Sequence, residues 1–262
     1  HHRKDYAVSS PEILLAAAAS VTKNIKLASG VTVLSSAEPV KVYEDFATLD
    51  LISNGRAEIV VGRGSFIESF PLYGYDLADY NQLFEEKLDL LLKINNEENV
   101  SWSGILRRPM ENQTVYPRAT KDGKLPIWIA VGGTPESVLR AAKLGLPLIV
   151  AIIGGMPKQF KNLIDFYKQE YIAAGHDINK MEIAIHSHTF VSEDTKVIDN
   201  YFELYRDQMN RIGVSRGWAP YTKMQYDGGR SREGALFIGN ADEVTQKILD
   251  MKEMFGITRF LG

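Results

Sequence analysis

The sequence has 262 residues, an ordinary length for one α/β barrel, and is 45% hydrophobic and 24% charged, with a net charge of −3 at pH 7. This balance gives no electrostatic preference for nucleic acid or for an anionic membrane surface, and the longest apolar runs are too short to span a bilayer. The chain contains no cysteine, so neither disulfides nor thiolate chemistry is expected. It opens with no signal peptide, so a cytoplasmic location is expected.

The first half of the chain alternates amphipathic helices with apolar strands. It predicts helices at residues 13–22, 40–52 and 82–94 and strands at residues 25–34 and 56–62. The first helix has Ser10 as its N-cap and Pro11 in its first turn. The second helix ends at Asn54-Gly55, a typical left-handed stop.

The second half continues the same alternation. It predicts strands at residues 126–131, 148–153, 181–191 and 257–261 and helices at residues 135–144, 157–174, 194–212 and 242–255. Six strands separated by helices indicate parallel strands joined by right-handed crossovers. A doubly wound open sheet is the competing architecture, but no G-x-G-x-x-G follows a strand and no G-x-x-x-x-G-K-[ST] occurs.

Two segments interrupt this alternation. Residues 95–125 are rich in proline, glycine and asparagine and are predicted to be an insertion that forms a short hairpin. Residues 214–234 carry Trp218, Tyr221, Tyr226 and four glycines, and a loop of that length in a compact domain is usually a lid or is disordered.

One strand end presents an arginine between two glycines. Arg63 directly follows the strand at residues 56–62, with Gly62 before it and Gly64 after it. In a parallel barrel the active site lies at the carboxyl ends of the strands, so this is where a functional side chain is expected. A structural alternative is that the arginine only pairs with a neighbouring carboxylate.

A second strand end is a glycine turn that opens a helix. Gly132, Gly133 and Thr134 precede Pro135, and Ser137 lies in the first helical turn. Free backbone N–H groups, the positive end of the helix dipole and two hydroxyl donors suit a phosphate. Such turns also occur in any α/β fold. If the two strands are neighbours, their ends lie roughly 5 Å apart, and the two turns together favour one shared phosphate site.

Two further histidines, His186 and His188, lie two residues apart and so on one face of a predicted strand. An H-x-H pair is typical of metal-dependent hydrolases, which need additional histidines and a carboxylate. Only His1, His2 and His176 remain to complete such a site. The pattern therefore favours polar side chains in a barrel layer or a ligand cavity over a metal site.

Several stretches together resemble the luciferase-like flavin monooxygenase family, of which bacterial luciferase is an example. They are H-H-R-K-D-Y-A-V-S-S-P, L-A-S-G-V-T-V-L-S-S-A-E-P-V, L-D-L-I-S-N-G-R-A-E-I-V-V-G-R-G, P-I-W-I-A-V-G-G-T-P-E-S-V-L-R-A-A-K-L-G-L-P and I-G-N-A-D-E-V-T-Q-K-I-L. They follow the family's order over nearly the whole chain. The resemblance implies one flavin-binding (β/α)8 TIM barrel domain over residues 1–262, usually oligomeric. It also implies that the first strand and helix, most of the second strand and the last helix are missing from this chain.

The resemblance assigns roles residue by residue. Arg63 matches the arginine that contacts the flavin phosphate, and His1 matches a histidine near the reactive flavin, although His1 and His2 could also be a tag remnant. Gly30 and Val31 fall where the family has a non-prolyl cis peptide under the flavin ring. The family's phosphate turn is matched by Gly132, Gly133, Thr134 and Ser137. Luciferase itself has an acidic residue and a serine in place of the two glycines. Residues 214–234 match a mobile active-site loop.

The resemblance implies an oxidoreductase that uses reduced FMN and dioxygen to oxidise a small organic substrate, with His1 as a base or hydrogen-bond partner. A flavin reductase or NAD(P)H would supply the reduced flavin. Three alternatives remain: a deazaflavin-dependent hydride-transfer enzyme, a non-catalytic flavin-binding protein and a metal hydrolase. The organic substrate is not predicted, because the family's inserted loops shape the substrate pocket.

Overall fold

The computed structural model describes residues 2–4, 6–64 and 66–262. The chain divides into two compact units, residues 1–130 and residues 131–262, and each is described by itself. Both units contain parallel strands that alternate with helices, which confirms the predicted α/β class. The single domain over residues 1–262 stays a prediction.

The first unit is built on three parallel strands. Its elements are α1 (Pro11–Val21), β1 (Thr32–Val33), α2 (Pro39–Ser53), β2 (Ile59–Gly62), α3 (Ser69–Tyr73), α4 (Tyr80–Asn96), β3 (Asn99–Trp102), β4 (Met110–Thr114) and β5 (Ile127–Val131), whose last residue begins the second unit. β2 lies between β1 and β5, with Val61 opposite Thr32 and Ile59 opposite Ile127. All four residues of β2 are buried, as in a parallel strand covered on both faces.

The helix α2 forms where the sequence predicts it. Pro39 lies in its first turn, and its buried face carries Tyr43 and Phe46. Asn54 and Gly55 have φ angles of 57° and 81°, so the predicted left-handed stop is confirmed.

Arg56, which follows this stop, holds the end of α1. Its side chain is nearly fully buried, and its Nε donates to the carbonyl of Ser53 at 2.8 Å. Its two terminal nitrogens donate to the carbonyls of Ala19, Thr22 and Ile25 at 2.9–3.0 Å. The last carbonyls of a helix have no partner within the helix, so the guanidinium supplies the missing donors.

The predicted hairpin is confirmed, because β3 and β4 pair antiparallel, whereas its being an insertion into the barrel stays a prediction. Between them, the carboxylate of Glu86 on α4 accepts the backbone N–H groups of Ile105 and Leu106, both at 3.0 Å. These hydrogen bonds attach the hairpin to the helix.

The second unit contains two sets of parallel strands. Its elements are α5 (Pro135–Lys143), β6 (Leu148–Ala151), α6 (Lys161–Ala173), β7 (Ile183–His186), β8 (Thr189–Val191), α7 (Thr195–Val214), α8 (Lys223–Arg230), β9 (Phe237–Gly239), α9 (Ala241–Phe255) and β10 (Arg259–Leu261). β7 lies between β6 and β10, with Ile183 opposite Leu148 and Ala184 opposite Arg259. β8 pairs separately with β9.

Two predicted strands are interrupted. Within residues 181–191, Ser187 and His188 separate β7 from β8. The N–H of Ser187 donates to the carbonyl of Leu261, and its hydroxyl donates to the carbonyl of Ile152. Within residues 25–34, only β1 and a bridge at Leu27 pair with the next strand. In residues 181–191, the hydrogen bonds of Ser187 therefore redirect backbone that the apolar pattern alone predicts to be continuous.

The segment at residues 214–234 was predicted as a loop, but it contains α8. Thr222 is the N-cap of this helix and forms a reciprocal capping box with Gln225, and Tyr226 on the helix is fully buried. Mobility of this segment stays a prediction. Among the described residues, no helix is long and apolar enough to cross a membrane.

Candidate functional site

Arg63 lies where β2 ends, and two residues at the start of α4 hold it. Its Nη1 donates to Oδ1 of Asn81 at 2.6 Å. Its guanidinium carbon lies 5.4 Å from the centre of the Tyr80 ring, within range of a cation–π contact. The Tyr80 hydroxyl donates to the carbonyls of Arg63 and Gly64, each at 2.7 Å. The side chain and its backbone are thus both fixed from one helix end.

The glycines on either side of Arg63 are required by the neighbouring strand. A Cβ at Gly62 would lie 2.9 Å from a methyl of Val31, and one at Gly64 would lie 2.7 Å from a methyl of Val33. Gly64 also has a φ of +71°, which a residue with a side chain rarely adopts. These glycines let the turn that carries Arg63 approach β1.

The peptide bond between Gly30 and Val31 is cis and non-prolyl, as the resemblance implied. Just beside it, the hydroxyls of Ser29 and Thr32 share a hydrogen bond of 2.7 Å, and both residues are buried. This bond conformation is confirmed, whereas a contact of Gly30 and Val31 with flavin stays a prediction.

The glycine turn of the second unit is open. Gly132, Gly133 and Thr134 are exposed, and a Cβ built on either glycine would meet no atom within 4 Å. Thr134 begins α5 without a side-chain capping bond, and Ser137 is buried in the first helical turn. The first N–H groups of a helix lack partners within the helix, so the start of α5 can accept an anion.

The predicted catalytic residue, His1, lies outside the described residues. Its neighbour His2 is described, and its ring contacts Tyr73 edge to face, with ring centres 5.4 Å apart. The role implied for His1 stays a prediction.

His186 is the last residue of β7, and His188 lies two positions after it. Both side chains are partly buried. Burial lowers the pKa of both, and the proximity of His186 further lowers that of His188. Nδ1 of His188 lies 2.8 Å from the Tyr205 hydroxyl, within a cluster of buried aromatic and aliphatic side chains. Among the described part of the chain, no group of three or more His, Cys, Asp or Glu residues is placed to hold a metal ion.

Lys247 on α9 is a buried cation that the sequence analysis missed. Its Nζ lies 2.6 Å from the carbonyl oxygen of Leu236 and 2.8 Å from that of Ser231, with two longer contacts to Gly229 and Arg230. Burial lowers its pKa to about 8. This lysine fastens the segment that follows α8 to α9.

The family model for luciferase-like monooxygenases matches residues 1–259. The chain is 27% identical over 184 residues to the alkanal monooxygenase alpha chain of a Kryptophanaron alfredi symbiont, covering 70% of this chain and 50% of that one. It is 24% identical over 216 residues to the oxygenase component of a flavin-dependent trigonelline monooxygenase of Acinetobacter baylyi, covering 78% and 58%. The chain spans about half the length of the curated relatives it matches.

Solved structures confirm the fold. Monooxygenase RslO1 from Streptomyces bottropensis has a TM-score of 0.82 at 23% identity, covering 100% of this chain and 78% of that one. An F420-dependent secondary alcohol dehydrogenase in complex with an F420-acetone adduct has a TM-score of 0.74 at 20% identity, covering 97% and 78%. A Baeyer-Villiger monooxygenase constituent from Pseudomonas putida in complex with FMN has a TM-score of 0.67 at 21% identity, covering 97% and 77%.

Proposed function

The chain belongs to the luciferase-like monooxygenase family, and from this premise we propose that it binds FMN as part of a flavin-dependent monooxygenase. Its substrates would be dioxygen and a small organic molecule. The named monooxygenases among its relatives and the FMN complex of a protein with the same fold support this proposal.

The observation that carries the proposal is the arginine at the end of β2: Tyr80 and Asn81 hold Arg63, and the glycines beside it let its turn approach β1. In the second unit, an open glycine turn follows β5. Both groups suit a flavin phosphate: the arginine as a charged, forked donor and the turn as a set of backbone N–H donors. The open space at the two glycines of the turn fits a phosphate that approaches the backbone closely.

The proposed roles divide between binding and proton transfer. Arg63, Gly132, Gly133, Thr134 and Ser137 would hold the phosphate. Gly30 and Val31 would lie under the flavin ring, and His1 would hold or move a proton near its reactive edge, as the resemblance implied. Reduced FMN, when bound, supplies the electrons for the reaction with dioxygen, and the protein orients it and keeps water out.

Two partners follow from the same proposal. The oxygenase component from Acinetobacter baylyi suggests that a separate flavin reductase, rather than this chain, supplies reduced FMN. The second partner is another copy of the chain, because the resemblance implies an oligomer.

A deazaflavin is the second candidate cofactor, because proteins of the same fold use F420. Hydride transfer from a deazaflavin needs no dioxygen. Anaerobic turnover with reduced F420 would favour this alternative, and dioxygen consumption with reduced FMN would favour the monooxygenase. Binding of FMN with neither activity would identify a non-catalytic flavin-binding protein.

The proposal is tested by titrating the protein with oxidised and reduced FMN, in parallel with Arg63→Ala. Loss of a charge-assisted phosphate contact costs roughly 1.5–3 kcal/mol, so the variant should bind FMN roughly ten- to a hundred-fold more weakly. Arg108→Ala, in the exposed part of the hairpin, is the matched control and should bind FMN like the parent protein. Equal FMN affinity of the parent and Arg63→Ala would place the phosphate elsewhere.

A further inference from the structure

The two residues that begin α4 and hold Arg63 have no role in the family resemblance described above. Arginine has a long, flexible side chain, and a binding site loses affinity when that side chain must first be ordered. Two contacts order Arg63 before a ligand binds: Tyr80 bonds its backbone carbonyl and Asn81 bonds its guanidinium.

Asn81 orients the guanidinium without changing its charge. Its amide oxygen accepts from Nη1 of Arg63 at 2.6 Å, which fixes the plane of the fork. A carboxylate in the same place would accept the same hydrogen bond, but it would add a negative charge beside the position where a phosphate would bind. A neutral amide therefore orients the guanidinium without adding charge where an anionic ligand would bind.

Tyr80 fixes the turn on which the arginine is carried. Its hydroxyl donates to the carbonyls of Arg63 and Gly64, and its ring faces the guanidinium. A tyrosine hydroxyl is protonated at neutral pH and can donate, and burial raises the pKa of Tyr80 further. Gly64 has a left-handed backbone conformation that favours glycine, so this position of the turn carries no side chain. The hydroxyl of Tyr80 therefore holds the turn from outside.

We propose that Tyr80 and Asn81 are positioning residues, which present Arg63 in a fixed orientation to the phosphate of the bound flavin. The inference rests on the proposed FMN-binding function. It assigns both residues to phosphate recognition rather than to contact with the flavin ring.

The test compares the dissociation constants of FMN and riboflavin, because the two ligands differ only in the phosphate. Arg63→Ala sets the scale, with the riboflavin-to-FMN ratio expected to fall roughly ten- to a hundred-fold. Asn81→Asp should lower this ratio by a similar factor, because its carboxylate competes with the phosphate for Arg63. Asn81→Ala and Tyr80→Phe should each lower it by roughly three- to ten-fold, with riboflavin affinity unchanged.

Gln82→Ala is the matched control, because Gln82 is the next residue of α4 and hydrogen-bonds Glu86 instead. Its ratio should equal that of the parent protein. Thermal unfolding of every variant is measured alongside, and Asn81, being exposed, keeps the test valid if Tyr80→Phe does not fold.

The outcomes separate the two proposals. If Arg63→Ala leaves the ratio unchanged, the proposed phosphate site is wrong. If Arg63→Ala lowers the ratio but Asn81→Asp and Asn81→Ala do not, the site stands and the positioning role is overturned. A fall in riboflavin affinity equal to that of FMN in the Asn81 variants also overturns it, because a purely structural effect weakens both ligands.

Discussion

Replacement of Arg56 by methionine should destabilise the first unit strongly. Methionine keeps much of the side-chain volume but removes every donor. The carbonyls of Ser53, Ala19, Thr22 and Ile25 would then lose the guanidinium that they share. A buried acceptor that loses its partner cannot turn to water without opening the structure around it.

The size of the loss follows from these contacts. A hydrogen bond that involves a charged group contributes roughly 1.5–3 kcal/mol, but contributions within one network are not additive and burial of the cation has its own cost. The expected loss is therefore on the order of 3–5 kcal/mol. With a urea m-value of about 3 kcal/mol/M, the unfolding midpoint should fall by roughly 1–1.7 M.

Urea unfolding followed by tryptophan fluorescence measures this loss. Arg56→Lys should fall between the parent and Arg56→Met, because an ammonium keeps the charge but lacks the fork that reaches several carbonyls at once. Lys26→Met, which replaces a half-exposed cation nearby, is the control and should shift the midpoint little. A midpoint for Arg56→Met within about 0.2 M of the parent's would refute the reasoning.

Three further predictions concern the second unit. Lys247→Met should speed tryptic cleavage after Arg230 at least several-fold, because the carbonyls after α8 lose their shared donor. Lys252→Met, on the exposed face of α9, is the control and should leave the cleavage rate unchanged. Equal cleavage rates for Lys247→Met and the parent protein would refute this prediction. Gly133→Val should weaken FMN binding roughly ten-fold or more, because the φ of +130° at this position is strained for valine and the new side chain would fill the open turn. Calorimetric titration of the variant with FMN measures this, and an affinity equal to that of the parent protein would contradict it. The pKa values of His186 and His188 are lowered in the folded state, so below pH 6.5 the unfolded state binds protons more readily than the folded state. The free energy of unfolding should therefore fall between pH 7 and pH 5.5, by at most about 1.4 kcal/mol per histidine per pH unit. The double variant His186→Gln/His188→Gln should show a flatter pH dependence, and a pH dependence identical to that of the parent protein would contradict the assignment.

The structural features that the sequence predicted correctly are those that local backbone chemistry controls. The left-handed stop at Asn54 and the hairpin both follow from backbone preferences or short-range pattern. The cis bond at Gly30 was implied by the resemblance rather than by local pattern.

Features that depend on tertiary position were not predictable in the same way. Arg56 and Lys247 belong to residue types that are usually exposed, and only the fold shows that each is buried against carbonyls. β9 has three residues, too few for a periodic signal, and α8 lies among glycines that suggest a loop. The contact of Asn81 with Arg63 joins residues 18 positions apart and leaves no pattern in the sequence.

The central claim is the proposal that Arg63 holds the phosphate of a bound flavin. A crystal structure of the FMN complex tests it most directly. We expect phosphate oxygens roughly 3 Å from the Arg63 guanidinium. A phosphate bound by other residues, with no oxygen within hydrogen-bond distance of Arg63, would contradict the proposal.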